Sequence, residues 1–109
     1  MKTPKNLPGG SDCIGYAVTS VAGRDRKRDF LIVGVCEDKA YDGMVYIADG
    51  RLHKIGSPKR KKLIHLKLHG RLTSGEEISK LKAGTATDSD VQAAILLCFG
   101  HKKFYESKV

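Results

Sequence analysis

The chain has 109 residues, with 20 Lys or Arg against 12 Asp or Glu, a net charge of +8. An apolar share of 40% is too high for full disorder, and the length suits one domain with a small core. No apolar run nears the ~18 residues that suggest a membrane span, and residues 1–10 hold two lysines with no apolar stretch behind them, so no membrane anchor or secretory leader is expected. The expected location is the cytoplasm. Cys13, Cys36 and Cys98 lie far apart among apolar neighbours, which reads as small buried hydrophobes and not as a disulfide framework.

Residues 1–11, with Pro4, Pro8 and Gly9-Gly10, read as a flexible lead. From Cys13 to Val21 apolar residues alternate as in a strand, and Gly23–Asp29 is a charged turn. Phe30–Cys36 is a continuous apolar run of strand length, which predicts burial on both faces. Asp42-Gly43 and Asp49-Gly50 flank a short strand over Met44–Ala48, and Asp-Gly is a strong hairpin signal, so Arg51–Ile55 is the expected return strand. Gly56-Ser57-Pro58 breaks the ladder and opens a loop through Lys62. Leu63–His69 alternates again, with His65, Lys67 and His69 on one side. Short strands joined by tight turns over residues 12–71 predict a mainly β fold, a small antiparallel sheet curled into an SH3-like barrel.

Beyond Arg71 the pattern turns helical, and residues 72–100 form a helical appendix. Ser74-Gly75-Glu76-Glu77 fits a capping box for a short helix to Leu81, and Gly84 interrupts. Thr87 or Asp88 caps a second helix whose Val91, Ala94, Ile95 and Cys98 fall on one face, expected to pack on the sheet. Gly100 is the expected stop, and residues 101–109 the flexible tail.

The charge is local. Between Gly50 and Gly75 stand eight basic residues (Arg51, Lys54, Lys59, Arg60, Lys61, Lys62, Lys67 and Arg71) and no acid; without them the chain has 12 of each sign. Such segregation points to a polyanion, nucleic acid first. The seven aromatic residues fall mostly in strand or core positions, which disfavours a base-stacking platform and favours recognition of folded RNA by backbone and shape.

Val18–Val35, VTSVAGRDRKRDFLIVGV, resembles the KOW motif, with Gly23 as its turn glycine. Val45–Leu66 is similar to large-subunit ribosomal proteins of the archaeal and eukaryotic 14e type, through Lys61, Lys62, His65 and Leu66, as is the closing helix over Ala83–Ile95. The likeness spans Ile14–Ile95, about three quarters of the chain, and looks like a compact, bacterial-like version of the module. One departure is Lys27, which stands where KOW turns often carry a second glycine; a positive φ there would cost up to about 1 kcal/mol.

The resemblance implies a non-catalytic, ribosome-associated protein that binds structured RNA, rRNA above all, and is a monomer when free. The residues expected on RNA are Arg24, Arg26, Lys27 and Arg28 of the turn, then Arg51, Lys54, Lys59, Arg60, Lys61, Lys62, His65, Lys67 and Arg71. No cofactor or metal is expected: His65 and His69 would stand about 13 Å apart on a strand, too far to share an ion. No phosphate loop or catalytic triad stands out, so no enzyme is expected. Alternatives are an SH3-like protein-interaction module of the transcription or translation machinery, or binding of DNA or an anionic surface through the same polybasic stretch.

Overall fold

A computed structural model describes residues 13–36, 43–71 and 75–108. In chain order it has β1 (Tyr16–Ser20), β2 (Asp29–Val35), β3 (Met44–Ala48), β4 (Lys59–Lys62), a 3-10 turn (Leu63–His65), β5 (Leu66–Arg71), α1 (Gly75–Ala83) and α2 (Asp88–Lys108). The strands form one antiparallel sheet in the order β4-β3-β2-β1-β5. The fold is therefore mainly β with two helices, as expected. The sheet is not closed, because edge strands β4 and β5 share no ladder. It does curl: Lys61 on β4 reaches Ala22, just beyond β1, although two strands stand between them in the sheet.

The apolar run in β2 explains the layering. Phe30 and Ile32 face an inner cluster with Val18, Val45, Ile47, Leu63 and Leu66. Leu31 points the opposite way, onto an outer cluster with Ala48, Leu81, Val91 and Ala94. All three successive β2 residues are fully buried. Burial of each such side chain contributes about 1.5–3 kcal/mol. The expected packing of Val91, Ala94, Ile95 and Cys98 on the sheet is present, and the helices share a core with it.

Four expectations are corrected. Arg51–Ile55 is a loop and not a return strand, because Asp49 Oδ1 accepts the Arg51 and His53 amides and winds the chain into a turn. The return strand is instead Lys59–Lys62, expected to be loop, which pairs with Met44–Ile47. Leu63–His65 forms a 3-10 turn, so β5 begins only at Leu66 and His65 lies outside it. Finally, α2 passes through Gly100 and reaches Lys108; one glycine inside a helix costs only about 1 kcal/mol and does not oblige it to end. Gly84, by contrast, does end α1, with φ +76 in the left-handed region.

Thr87 caps α2 through a reciprocal pair: its Oγ1 accepts the Asp90 amide at 3.2 Å, and Asp90 Oδ2 accepts the Thr87 amide at 2.9 Å. These bonds hold the Asp90 carboxyl below its ordinary range. The lead 1–11, Asp42 and Ser74, named above for a terminus, a turn and a cap, lie outside the described residues.

Candidate nucleic-acid interface

β4 reads Lys-Arg-Lys-Lys, and its side chains alternate across the sheet as in any strand. Lys59 and Lys61 pair with Ile47 and Val45, whose side chains enter the inner cluster, so both lysines project to that side. There they meet the β1–β2 turn: Lys59 Nζ donates to Asp25 Oδ2, and Lys61 Nζ donates to the Ala22 carbonyl at 2.8 Å. Arg60 and Lys62 pair with Tyr46 and Met44 and are exposed on the outer side. Arg60 stands against the Tyr46 phenol, whose hydroxyl donates to Cys36 Sγ at 3.9 Å; that bond raises the phenol above its ordinary value. The four consecutive cations thus divide into two that tie the fold and two that face out.

Asp25 organises the turn. It is only 6% exposed, and His53 Nε2 stands 3.6 Å from its other oxygen, Oδ1. The Lys59 ammonium, hydrogen-bonded to the carboxylate, holds Asp25 below its ordinary value of 3.8, while burial pulls the other way. Around it the turn is closed by main-chain bonds: Arg28 N–H to Asp25 O, Arg26 N–H to Gly23 O, and Lys27 N–H to Ser20 O at 2.7 Å. The last bond is donated by a left-handed residue. Lys27 adopts φ +73, alone among described non-glycine residues, at the position where the resemblance anticipates glycine. Gly23, the expected turn glycine, has φ +78. A Cβ there would stand 3.0 Å from Lys61 Nζ.

The β3–β4 loop meets the start of α2. Asp88 Oδ1 accepts the Ile55 amide at 2.7 Å, and Gln92 Nε2 donates to the Gly50 carbonyl at 2.9 Å. Gly50, at φ +78, lets the loop approach so closely, since a Cβ would lie 2.6 Å from Asp88 O. Between turn, loop and helix opens a groove of about 550 Å³, with Lys27, Arg28 and Arg51 on its rim. Asp29, Asp49 and the aliphatic side of α2 complete it, including Leu96, which is 64% exposed. On the same side of the sheet, Lys67 stands opposite Thr19, which in turn stands opposite Asp29. The Thr19 hydroxyl gives its one proton to Asp29 Oδ1 at 2.8 Å. It therefore accepts from His69 Nε2–H at 2.7 Å.

The remaining candidates are scattered. Arg24 and Arg26 are exposed in the turn, and Lys54 is exposed in the β3–β4 loop. His65 is half-buried, and its carbonyl accepts the Val21 amide. Arg71 is held at the far end of β5, where Nε donates to the Ile14 carbonyl at 3.3 Å and the guanidinium lies over the Tyr16 ring. The geometry thus gathers Lys27, Arg28 and Arg51 at one groove, with Lys67 on the same side of the sheet. Arg60 and Lys62 lie along the β4 edge, and Lys59, Lys61 and Arg71 are engaged inside the fold. Sequence reasoning missed Asp25, Asp29, Asp49 and Leu96; the first three are acids next to cations or turn glycines, a pattern that also describes solvated turns.

No protein-family model matches the chain, and no curated protein is significantly similar to it. Among the described residues no three His, Cys, Asp or Glu side chains converge to hold a metal ion. No helix there is long and apolar enough to cross a membrane.

Proposed function

We propose that the protein binds structured RNA, ribosomal RNA above all, as a non-catalytic, ribosome-associated module of the KOW type on an SH3-like scaffold. Five short antiparallel strands curled about one apolar cluster support the scaffold reading. The observation that carries the functional reading is the sorting of cations. Lys27, Arg28, Arg51, Arg60, Lys62 and Lys67 are exposed on well-anchored strands and turns, while the buried Asp25 engages an inward lysine. A rigid scaffold with outward cations suits phosphates, which set register and orientation while shape supplies selectivity.

The test is affinity for ribosomal particles and for a folded rRNA fragment as salt is raised. About six phosphate contacts would cost roughly 10³-fold in affinity between 50 and 200 mM salt. The double variant Arg60→Glu/Lys62→Glu should lose most of the binding and keep its fold, since neither side chain is buried. Wild-type affinity in that variant together with a flat salt response would overturn the proposal. Preference for acidic vesicles or duplex DNA over RNA in competition would assign the surface to those partners instead.

A further inference from the structure

Phosphate contacts alone carry no sequence information, yet the groove beside α2 is not purely cationic. Its rim bears Lys27, Arg28 and Arg51, its wall bears the exposed Leu96, and the carboxylates Asp29 and Asp49 also line it. A pure phosphate cradle has no use for a carboxylate. Asp49 commits Oδ1 to the Arg51 and His53 amides at 2.8 and 2.9 Å. Its Oδ2 accepts no hydrogen bond among the described residues, which leaves it for a donor brought by a ligand.

We propose that this groove receives a single unpaired guanine nucleotide of the bound RNA, a reading that rests on the RNA-binding proposal above. The complementarity is chemical. Guanine alone among the four bases presents two adjacent donors, N1–H and N2–H, on one edge and two adjacent acceptors, O6 and N7, on another. Asp49 Oδ2, with both acceptor sites open, takes the first pair, and an arginine fork answers the second. Leu96 supplies an apolar surface for the base, and Lys27 and Arg28 serve the flanking phosphates. The volume, about 550 Å³, lies within the ~300–1,000 Å³ typical of small-molecule sites. Lys27 adds an independent sign: a left-handed conformation that glycine would adopt more easily is held by a residue whose side chain lines the groove.

The experiment compares one RNA hairpin carrying a single bulged guanosine with the same hairpin bulged at uridine, cytidine or adenosine, and with no bulge. The wild-type protein should prefer the guanosine bulge by roughly tenfold over uridine, the size of one good bidentate contact. Asp49→Asn keeps an oxygen for the two loop amides and replaces Oδ2 by an NH₂ group. It should raise affinity for the uridine, cytidine, adenosine and unbulged hairpins, by removing a negative charge, while erasing the guanine preference. A purely electrostatic role for Asp49 would raise all affinities and leave the preference intact. Leu96→Ala should weaken only the bulged hairpins. Strong, salt-sensitive binding with no preference among bulges overturns the guanine site and leaves RNA binding standing; no binding to any hairpin or ribosomal particle overturns both.

Discussion

Lys27 sets backbone strain against the proposed RNA contact. Its amide donates to Ser20 O, one of the bonds that close the β1–β2 turn, and its backbone sits at φ +73. A Cβ in this region crowds the following carbonyl at about 1–2 kcal/mol, less whatever glycine would lose in unfolded-state entropy. Lys27→Gly should therefore raise stability by up to about 1 kcal/mol, measured as a higher urea midpoint at unchanged slope. The same variant should bind RNA more weakly, with the slope of log affinity against log salt reduced by about 1, as expected for one lost phosphate contact. Lys27→Ala separates the two effects: it loses the cation and keeps the strain, so affinity falls without the gain in stability. A glycine variant less stable than wild type would show that the turn does not carry this strain.

At the scale of elements, the β3–β4 connection is held by α2 as well as by its own turn. Gly50 lies against the backbone of Asp88 and the side chain of Gln92, and its φ is +78. Gly50→Ala must strain the backbone and push the loop off the helix start, at a cost of about 2 kcal/mol or more, roughly 10 °C in melting temperature for a domain this size. Gly56→Ala in the same loop is the control, with open space at the Cβ position and no left-handed φ. It should stay within about 0.5 kcal/mol of wild type. Thermal melts of the two variants decide the matter; equal losses would mean that the loop is generally intolerant and that helix contact is not the cause.

The same loop marks where sequence reading ran out. Apolar alternation and the buried run gave β1, β2 and β3 within a few residues, and Asp49-Gly50 correctly signalled a turn. The carboxylate that accepts the Ile55 amide, however, comes from Asp88, 33 positions along the chain, and no local pattern announces it. β4 was hidden for a different reason. A strand with cations on both faces has no apolar period, and Lys59 and Lys61 gain their meaning only from Asp25 and the Ala22 carbonyl across the fold. The candidate site was legible as a charged segment, but its division into inward and outward cations required the register of β4 on β3.

For the whole molecule, the open sheet raises the question of what keeps it curled. Along the seam where β4 approaches the β1–β2 turn, side chains take the place of a ladder: Lys59 on Asp25 and Lys61 on the Ala22 carbonyl, with His53 beside the same carboxylate. Since Asp25 is buried and titrates below its ordinary 3.8, the seam has a definite pH dependence. The unfolded chain binds this proton more readily than the folded one. The stabilisation from Asp25 is therefore complete above the unfolded value and is lost as pH falls through the lower folded value; below that, both states are protonated and nothing remains. Asp25→Asn leaves an acceptor for Lys59 but removes the charge, and should cost about 1–3 kcal/mol at pH 7. Other carboxylates also titrate in acid, so the informative quantity is the difference between wild type and variant in urea unfolding at each pH. That difference should be constant from pH 7 to 5 and shrink below about pH 4 as the native carboxylate is protonated. A difference that stays constant down to pH 2, or equal stabilities at pH 7, would mean that the inner apolar cluster curls the sheet without help from the ion pair.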